Sequence, residues 1–292
     1  MSALRIDELP WPTDEFRIDL HSKNFESENE VELEDAKRAK RLRKTALGEQ
    51  AKRAAELLDL ANLLDPLLTP QKPITLASSR YLRELRIRVI GALWRLVDDH
   101  GDINICRYDI AKPSWARSPH AFRNETAIGF KAKLRADLLR SADKLGFANV
   151  SNVDGFLLAL LHGELTQFDD NPEHIHPHFH LIAGGNWIAI AENMRKQPGY
   201  QRNPYTVVPI RASRTIQDIP YALSYLLKSY WPATWRGTVS NVGRKRRTRD
   251  HRRMPEPHHS DVLLWLHKTV PSDLLLKMGI HLNREGFRMK NN

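Results

Sequence analysis

The chain has 292 residues, of which 41% are hydrophobic and 27% charged, a balance that excludes a disordered chain and suits one large or two ordinary domains. Lysine and arginine number 45 against 35 acidic residues, for a formal charge of +10, so an anionic partner is expected. The single cysteine, Cys106, excludes an internal disulfide and a cysteine-built zinc cluster. The longest uncharged apolar run, Phe156–Leu161, is far short of the roughly 20 residues that cross a bilayer.

The first residues carry no apolar leader, so a cytoplasmic protein in a reducing compartment is expected. Residues 1–35 hold three basic and eleven acidic side chains, which leaves the positive charge to the rest of the chain. It concentrates in two runs, Lys37–Arg53 and Arg244–Arg253. Neither is interleaved with large apolar residues as an interfacial helix would be, which favours nucleic acid over a membrane as the partner.

In chain order, residues 1–30 read as an acidic, irregular N-terminus broken by Pro10 and Pro12. A helical region follows over 31–101: one stretch from Val31 to Leu64, a proline-marked linker, and a helix from Ser79 to Asp99 with Leu82, Leu85, Val89, Leu93 and Leu96 as its stripe. The rhythm then changes. Ile103–Ile110 reads as a strand. Thr126–Leu145 reads as a helix with Leu134, Leu138, Ala142 and Leu145 inward. Phe156–Thr166 and Pro177–Ala183 read as strands, and Asn186 caps a helix ending before Pro198. Tyr205–Ile210 reads as an edge strand, and Pro220 opens a helix over Tyr221–Trp231. The first six of these elements spell a split β-α-β pattern, so the expected fold class is α+β: a ferredoxin-like antiparallel sheet with helices on one face, spanning 102–236. A basic segment and a C-terminal helical stretch from Asp261 to Met278 fill 237–292.

Chemistry gathers in two places. In the run His174-Ile-His176-Pro-His178-Phe-His180, residues two apart share a strand face, so His178 and His180 make a two-point metal clamp. His174 and His176 precede Pro177 and are assigned to a loop. The third ligand is expected from the neighbouring strand, where His162 and Glu164 share a face; Glu164 is preferred because a carboxylate partly neutralises the ion, with Glu173 as competitor. In the second place, Tyr221, Tyr225 and Lys228 fall on one side of a helix whose apolar stripe (Leu223, Leu226, Leu227 and Tyr230) lies opposite. A phenol attacks phosphorus well only when its phenolate is stabilised, and an ammonium such as Lys228 does that.

Together these motifs resemble the HUH endonuclease superfamily, in particular rolling-circle replication initiator proteins with paired tyrosines. His178-Phe179-His180 is similar to the histidine motif, and Tyr225-Leu226-Leu227-Lys228 to the tyrosine motif Tyr-x-x-Lys; histidines preceding tyrosine is the initiator order. The family's first-strand motif is not legible in Ile103–Ile110. The resemblance implies a DNA nicking and joining enzyme using a divalent ion, Mg²⁺ or Mn²⁺, on His178, His180 and Glu164. Tyr225 would be the nucleophile, Tyr221 the second nucleophile and Lys228 the phenolate stabiliser. The product would be a 5′-phosphotyrosine with a free 3′-hydroxyl, on single-stranded DNA at a replication origin. Arg244, Lys245, Arg246, Arg247, Arg249, Arg252 and Arg253 would grip the DNA. No Gly-x-x-x-x-Gly-Lys-[Ser/Thr] occurs, so any helicase would be a separate partner. A transposase of the same chemistry and a non-catalytic DNA-binding regulator are the alternatives.

Overall fold

The computed structural model describes residues 6–12, 26–101, 103–168, 171–200, 210–212, 231–241 and 244–290. The expected tyrosine helix over 221–230, with Tyr221, Tyr225 and Lys228, and the strand residues 205–209 lie outside the described residues.

The expected single helix over 31–64 is two. Helix α1 (Glu28–Ala46) starts at Ser27, whose side chain and that of Glu30 close a reciprocal capping box. It ends before Gly48, and α2 (Ala51–Leu64) begins anew and stops at Asp65-Pro66, where proline disfavours helix at the preceding residue. Helix α3 (Ser79–Asp98) buries the expected stripe of Leu82, Leu85, Val89, Leu93 and Leu96. Asp35 of α1, fully buried, accepts hydrogen bonds from Ser78 Oγ (2.6 Å) and Ser79 N (2.6 Å), and pairs with Arg80 Nε (3.1 Å). A buried carboxylate is tolerable only when saturated in this way, and here the saturation fixes α1 against the start of α3.

The remaining strands build a curled, mixed sheet. Its members are β1 (Ile105–Ala111), β2 (Gly155–Phe168), β3 (Asn171–Gly185), β4 (Ile210–Ala212), β5 (Pro232–Asn241), β6 (Arg244–Arg253) and a late strand, β7 (Leu275–Met278). The order is β4-β1-β3-β2-β5-β6, with β7 also on β2. All neighbours from β4 to β2 pair antiparallel, whereas β5 joins β2 in parallel, Leu165 opposite Ala233. The expectation of a purely antiparallel sheet is corrected by that one pairing, which the 14-residue length of β2 makes possible: its free edge holds β7 at one end (Leu157–Leu160) and β5 at the other (Leu165–Phe168). The C-terminal region is likewise not simply helical. After α7 (His258–His267) and a one-turn helix, β7 returns to the sheet and a hairpin, β8 (Ile280–Asn283) with β9 (Gly286–Met289), follows.

Helix α5 (Ala127–Lys144), capped by Thr126, buries Phe130, Leu134, Leu138 and Ala142; Leu145, expected inward, is exposed because the helix ends one residue earlier. Between β1 and α5 lies the one-turn α4 (Pro119–Phe122). Helix α6 (Trp187–Met194) follows β3, with Asn186 before it, although the Asn186 side chain makes no capping bond. Tyr108 of β1 reaches Ile188 O of α6, and Phe179 of β3 packs edge-on against Trp115. Alternation along the strands therefore turns Tyr108, Phe179 and Leu181 into the core, and their neighbours to the opposite face. No described helix is long and apolar enough to cross a membrane.

Candidate metal centre

The β2–β3 hairpin is longer than its sequence suggested. Strand β3 begins at Asn171, so His174 and His176, assigned to a loop, stand in the strand opposite Thr166 and Glu164. Pro177 was the reason for the loop assignment, since it cannot donate to a ladder. It falls one residue past the last β1 pair, Ala111 opposite His178, so its missing N–H costs that ladder nothing.

In this register His178 lies directly opposite His162 of β2, and His180 opposite Asp109 of β1. Paired residues on adjacent strands share a face, which gathers His162, His178 and His180. Their candidate ligand nitrogens all lie within 4.8 Å of one another, and the three ring centroids are 5.0–5.3 Å apart. His162 and His180 are buried and His178 half-buried. Glu164, the residue favoured from sequence, stands two pairs further along on the same face, opposite His176. It is buried, and its carboxylate accepts a hydrogen bond from Thr234 Oγ1 of β5 at 3.0 Å. The residue that closes the trio is thus His162, the alternative on the same strand face.

Protonation is set from behind the rings. Asp109 Oδ1 lies 2.6 Å from His180 Nδ1. A carboxylate only accepts, so Nδ1 carries the proton and Nε2 keeps its lone pair for a ligand. His178 Nδ1 donates to the His176 carbonyl at 3.2 Å, so its lone pair is on Nε2, which lies 3.3 Å from His162 Nδ1. Burial and the adjacent His180 push His178 down to about 4, so its ring is neutral at physiological pH, the form that binds metals. Burial raises the Asp109 carboxyl, but the hydrogen bond from His180 and the neighbouring Arg107 guanidinium outweigh it and hold Asp109 well below the usual carboxylate range. Asp109 was missed from sequence. Its signal was a lone acid within a strand, and only the β1–β3 register selects it.

An aromatic wedge closes one side. The Trp231 ring lies 5.7 Å from that of His162 and packs among Phe122 and Trp265; Trp265 Nε1 donates to Glu125 O at 2.8 Å. Gly163 makes this approach possible, since a Cβ there would sit 2.3 Å from the Trp231 ring. Trp231, expected to end the tyrosine helix, is non-helical and immediately precedes β5.

Three convergent imidazoles, two of them with tautomers set by neighbouring acceptors, on adjacent strands and largely shielded from water, suit a divalent metal: the sheet supplies the geometry without reorganisation. The two runs of site residues outside the centre differ in what is described. The backbone of Arg244–Arg253 is strand β6, paired with β5 over its whole length, and among its basic side chains Arg253 is described, bonded to Glu34 Oε2 at 2.6 Å. Tyr221, Tyr225 and Lys228 lie outside the described residues. Compared with known proteins, the chain matches no family model, no curated protein and no solved structure.

Proposed function

We propose that this chain is a metal-assisted, single-strand DNA nicking and joining enzyme of the HUH type, acting at an origin to start rolling-circle replication. The observation that carries the reading is the convergence of His162 with the His178-Phe179-His180 pair within 4.8 Å, backed by the Asp109 carboxylate. The antiparallel order β4-β1-β3-β2, with α5 and α6 as the two connecting helices, supports a ferredoxin-like sheet beneath it. Trp231, six residues after Tyr225 in the sequence, has its ring 5.7 Å from that of His162 and tilted against it.

An ion held by His162, His178 and His180 would draw electron density from a scissile phosphate. All-imidazole donors suit Mn²⁺ or another borderline transition metal better than Mg²⁺, which prefers oxygen. The chain's own groups do the remainder. Asp109 keeps the His180 proton on Nδ1 and the ring in place. Tyr225 Oη bonds to phosphorus as the bond to the 3′-oxygen breaks; the phenolic proton leaves and the 3′-oxygen takes one up, giving a 5′-phosphotyrosine and a free 3′-hydroxyl. Lys228 holds the attacking oxygen as phenolate. Tyr221 repeats the attack on the returning strand, and the basic residues of β6 hold the backbone.

The test incubates the full chain with circular single-stranded DNA and Mn²⁺ and seeks a protein–DNA adduct that survives denaturant. Wild type and Tyr221→Phe are expected to give the first adduct, and Tyr225→Phe and His178→Ala to lose it. Full adduct yield from Tyr225→Phe overturns the nucleophile assignment. Wild-type DNA binding with no adduct overturns the catalytic reading in favour of a DNA-binding regulator.

A further inference from the structure

Helix α1 carries more positive charge than its packing uses. Its acidic residues lie in its first half, and 36–46 contain none. The acids nearest that half are already spent: Asp35 on Ser78, Ser79 and Arg80, and Glu34 on Arg38 and Arg253. Arg38 is itself buried and donates to Ala77 O, and Arg43 pairs with Asp65. Lys37, Lys40 and Lys44 are different. All three are exposed, none makes an ion pair among the described residues, and at about 100° per residue they fall within about 60° of one another. They form a stripe about 10 Å long at 1.5 Å per residue.

Next to this stripe the fold seats its other basic element. Arg253, the last residue of β6, bonds Glu34 at 2.6 Å, and Glu34 lies about 60° around the helix from Lys37. Beyond β6 the same side of α1 is held again, by Thr45 to Glu256 (3.3 Å) and Ser260 to Thr45 (3.2 Å). Strand β6 contains seven lysines and arginines and one acid, Asp250, on an extended backbone of roughly 30 Å. Two basic runs separated by some two hundred residues of sequence are therefore brought end to side.

We propose that the Lys37–Lys40–Lys44 stripe, beside the Arg253 end of strand β6, binds the phosphate backbone of nucleic acid. Lysines unpaired by protein carboxylates gain most from polyanion contact, because each phosphate neutralised releases counterions. A membrane surface fits less well. Leu33 and Leu47 are exposed at the two ends of the stripe, whereas an interfacial helix needs a whole apolar face. The proposal does not rest on the nicking reading: it concerns equilibrium binding at residues outside the metal centre.

The test measures fluorescence anisotropy of a labelled 20-base-pair duplex and a labelled 20-nucleotide single strand, with the full chain, from 50 to 300 mM salt. The variant is Lys37→Gln/Lys40→Gln/Lys44→Gln. Its control neutralises three exposed cations elsewhere, Lys144→Gln/Lys196→Gln/Arg284→Gln. For a duplex, three lost phosphate contacts lower the log–log salt slope by about 2.7 and weaken binding at 0.1 M salt by up to about 500-fold; for a single strand the slope falls by about 2.1. A fall of about 2.7 on the duplex, or of about 2.1 on the single strand, identifies the form bound on this surface. The control is expected to change the slope by less than one. Equal losses in stripe and control variants overturn the proposal, since net charge alone would then explain them. An unchanged slope in the stripe variant overturns it as well, as does retained nucleic-acid affinity with selective loss of binding to phosphatidylserine vesicles. Circular dichroism confirms that each variant is folded.

Discussion

Replacing Asp109 by asparagine removes one negative charge from behind the metal centre while leaving an oxygen in nearly the same place. In the native chain Asp109 Oδ1 accepts from His180 Nδ1 at 2.6 Å, and Arg107 Nη2 lies 3.1–3.3 Å from both carboxylate oxygens. The asparagine oxygen still accepts, so His180 keeps its tautomer, but the ring becomes a weaker donor to a metal. The amide also satisfies Arg107 with one oxygen where two were available. Outer partners of metal-bound histidines are typically worth 10–100-fold in metal affinity. The Asp109 side chain is 31% exposed, so water screens part of its charge, and the lower half of that range applies: about 10–30-fold, or roughly 1.4–2 kcal/mol. Mn²⁺ titration against a competing fluorescent chelator at pH 7 reads this directly. The metal-free melting temperature, measured alongside, reports whether the variant is intact. A dissociation constant within twofold of wild type would refute the inference that Asp109 positions His180 for a metal.

The choice of third ligand is tested the same way: His162→Ala is expected to weaken Mn²⁺ by about 100-fold or more, and Glu164→Gln by less than about 10-fold, and the reverse ranking would restore the carboxylate expected from sequence. Gly163→Ala forces a methyl group into the Trp231 ring and is expected to cost about 1–3 kcal/mol by overpacking, read as a lowered melting temperature; an unchanged one would mean that Trp231 yields freely. Glu256 gives a pH dependence. Burial raises its carboxyl, but hydrogen bonds from His259 and Ser260 outweigh this and hold it near about 2. Its folded value is thus below its unfolded one, so its contribution is complete above about pH 4.5 and is lost as pH falls toward 2. Discounted for exposure, roughly 1–2 kcal/mol is at stake; denaturant melts from pH 7 to 3 should slope less for Glu256→Gln, and parallel curves would remove Glu256 as the cause.

Local chemistry made several elements readable in advance. The stripe of α3 at helical spacing, the start of α5 near Thr126, the apolar run of β2 and the alternation through His178-Phe179-His180 each depend on neighbours within a turn or two of chain. For those the sequence carries the whole signal. The errors come from the same source. Pro177 suggested a loop because proline cannot donate to a ladder, but whether a ladder is required there depends on where another strand, β1, stops. Gly48 splits a helix whose composition reads as continuous, and the late strand β7 lies in a stretch that reads as helix until an open edge of β2 receives it.

The division is clearest at the metal centre. His178 and His180 follow from strand periodicity, and His162 and Glu164 from theirs, so composition and spacing alone put four candidates on two strands. Choosing among them required the register between those strands, because a slip of two residues would have set Glu164 opposite His178 and His162 opposite His180. Asp109 required a third strand, 71 residues distant in sequence from His180. Register is decided by burying Phe179, Leu181 and Tyr108 together on the far face, a cooperative property of the whole sheet. The amino-acid sequence specified which ligands were present; the packed core beneath them decided which ones meet.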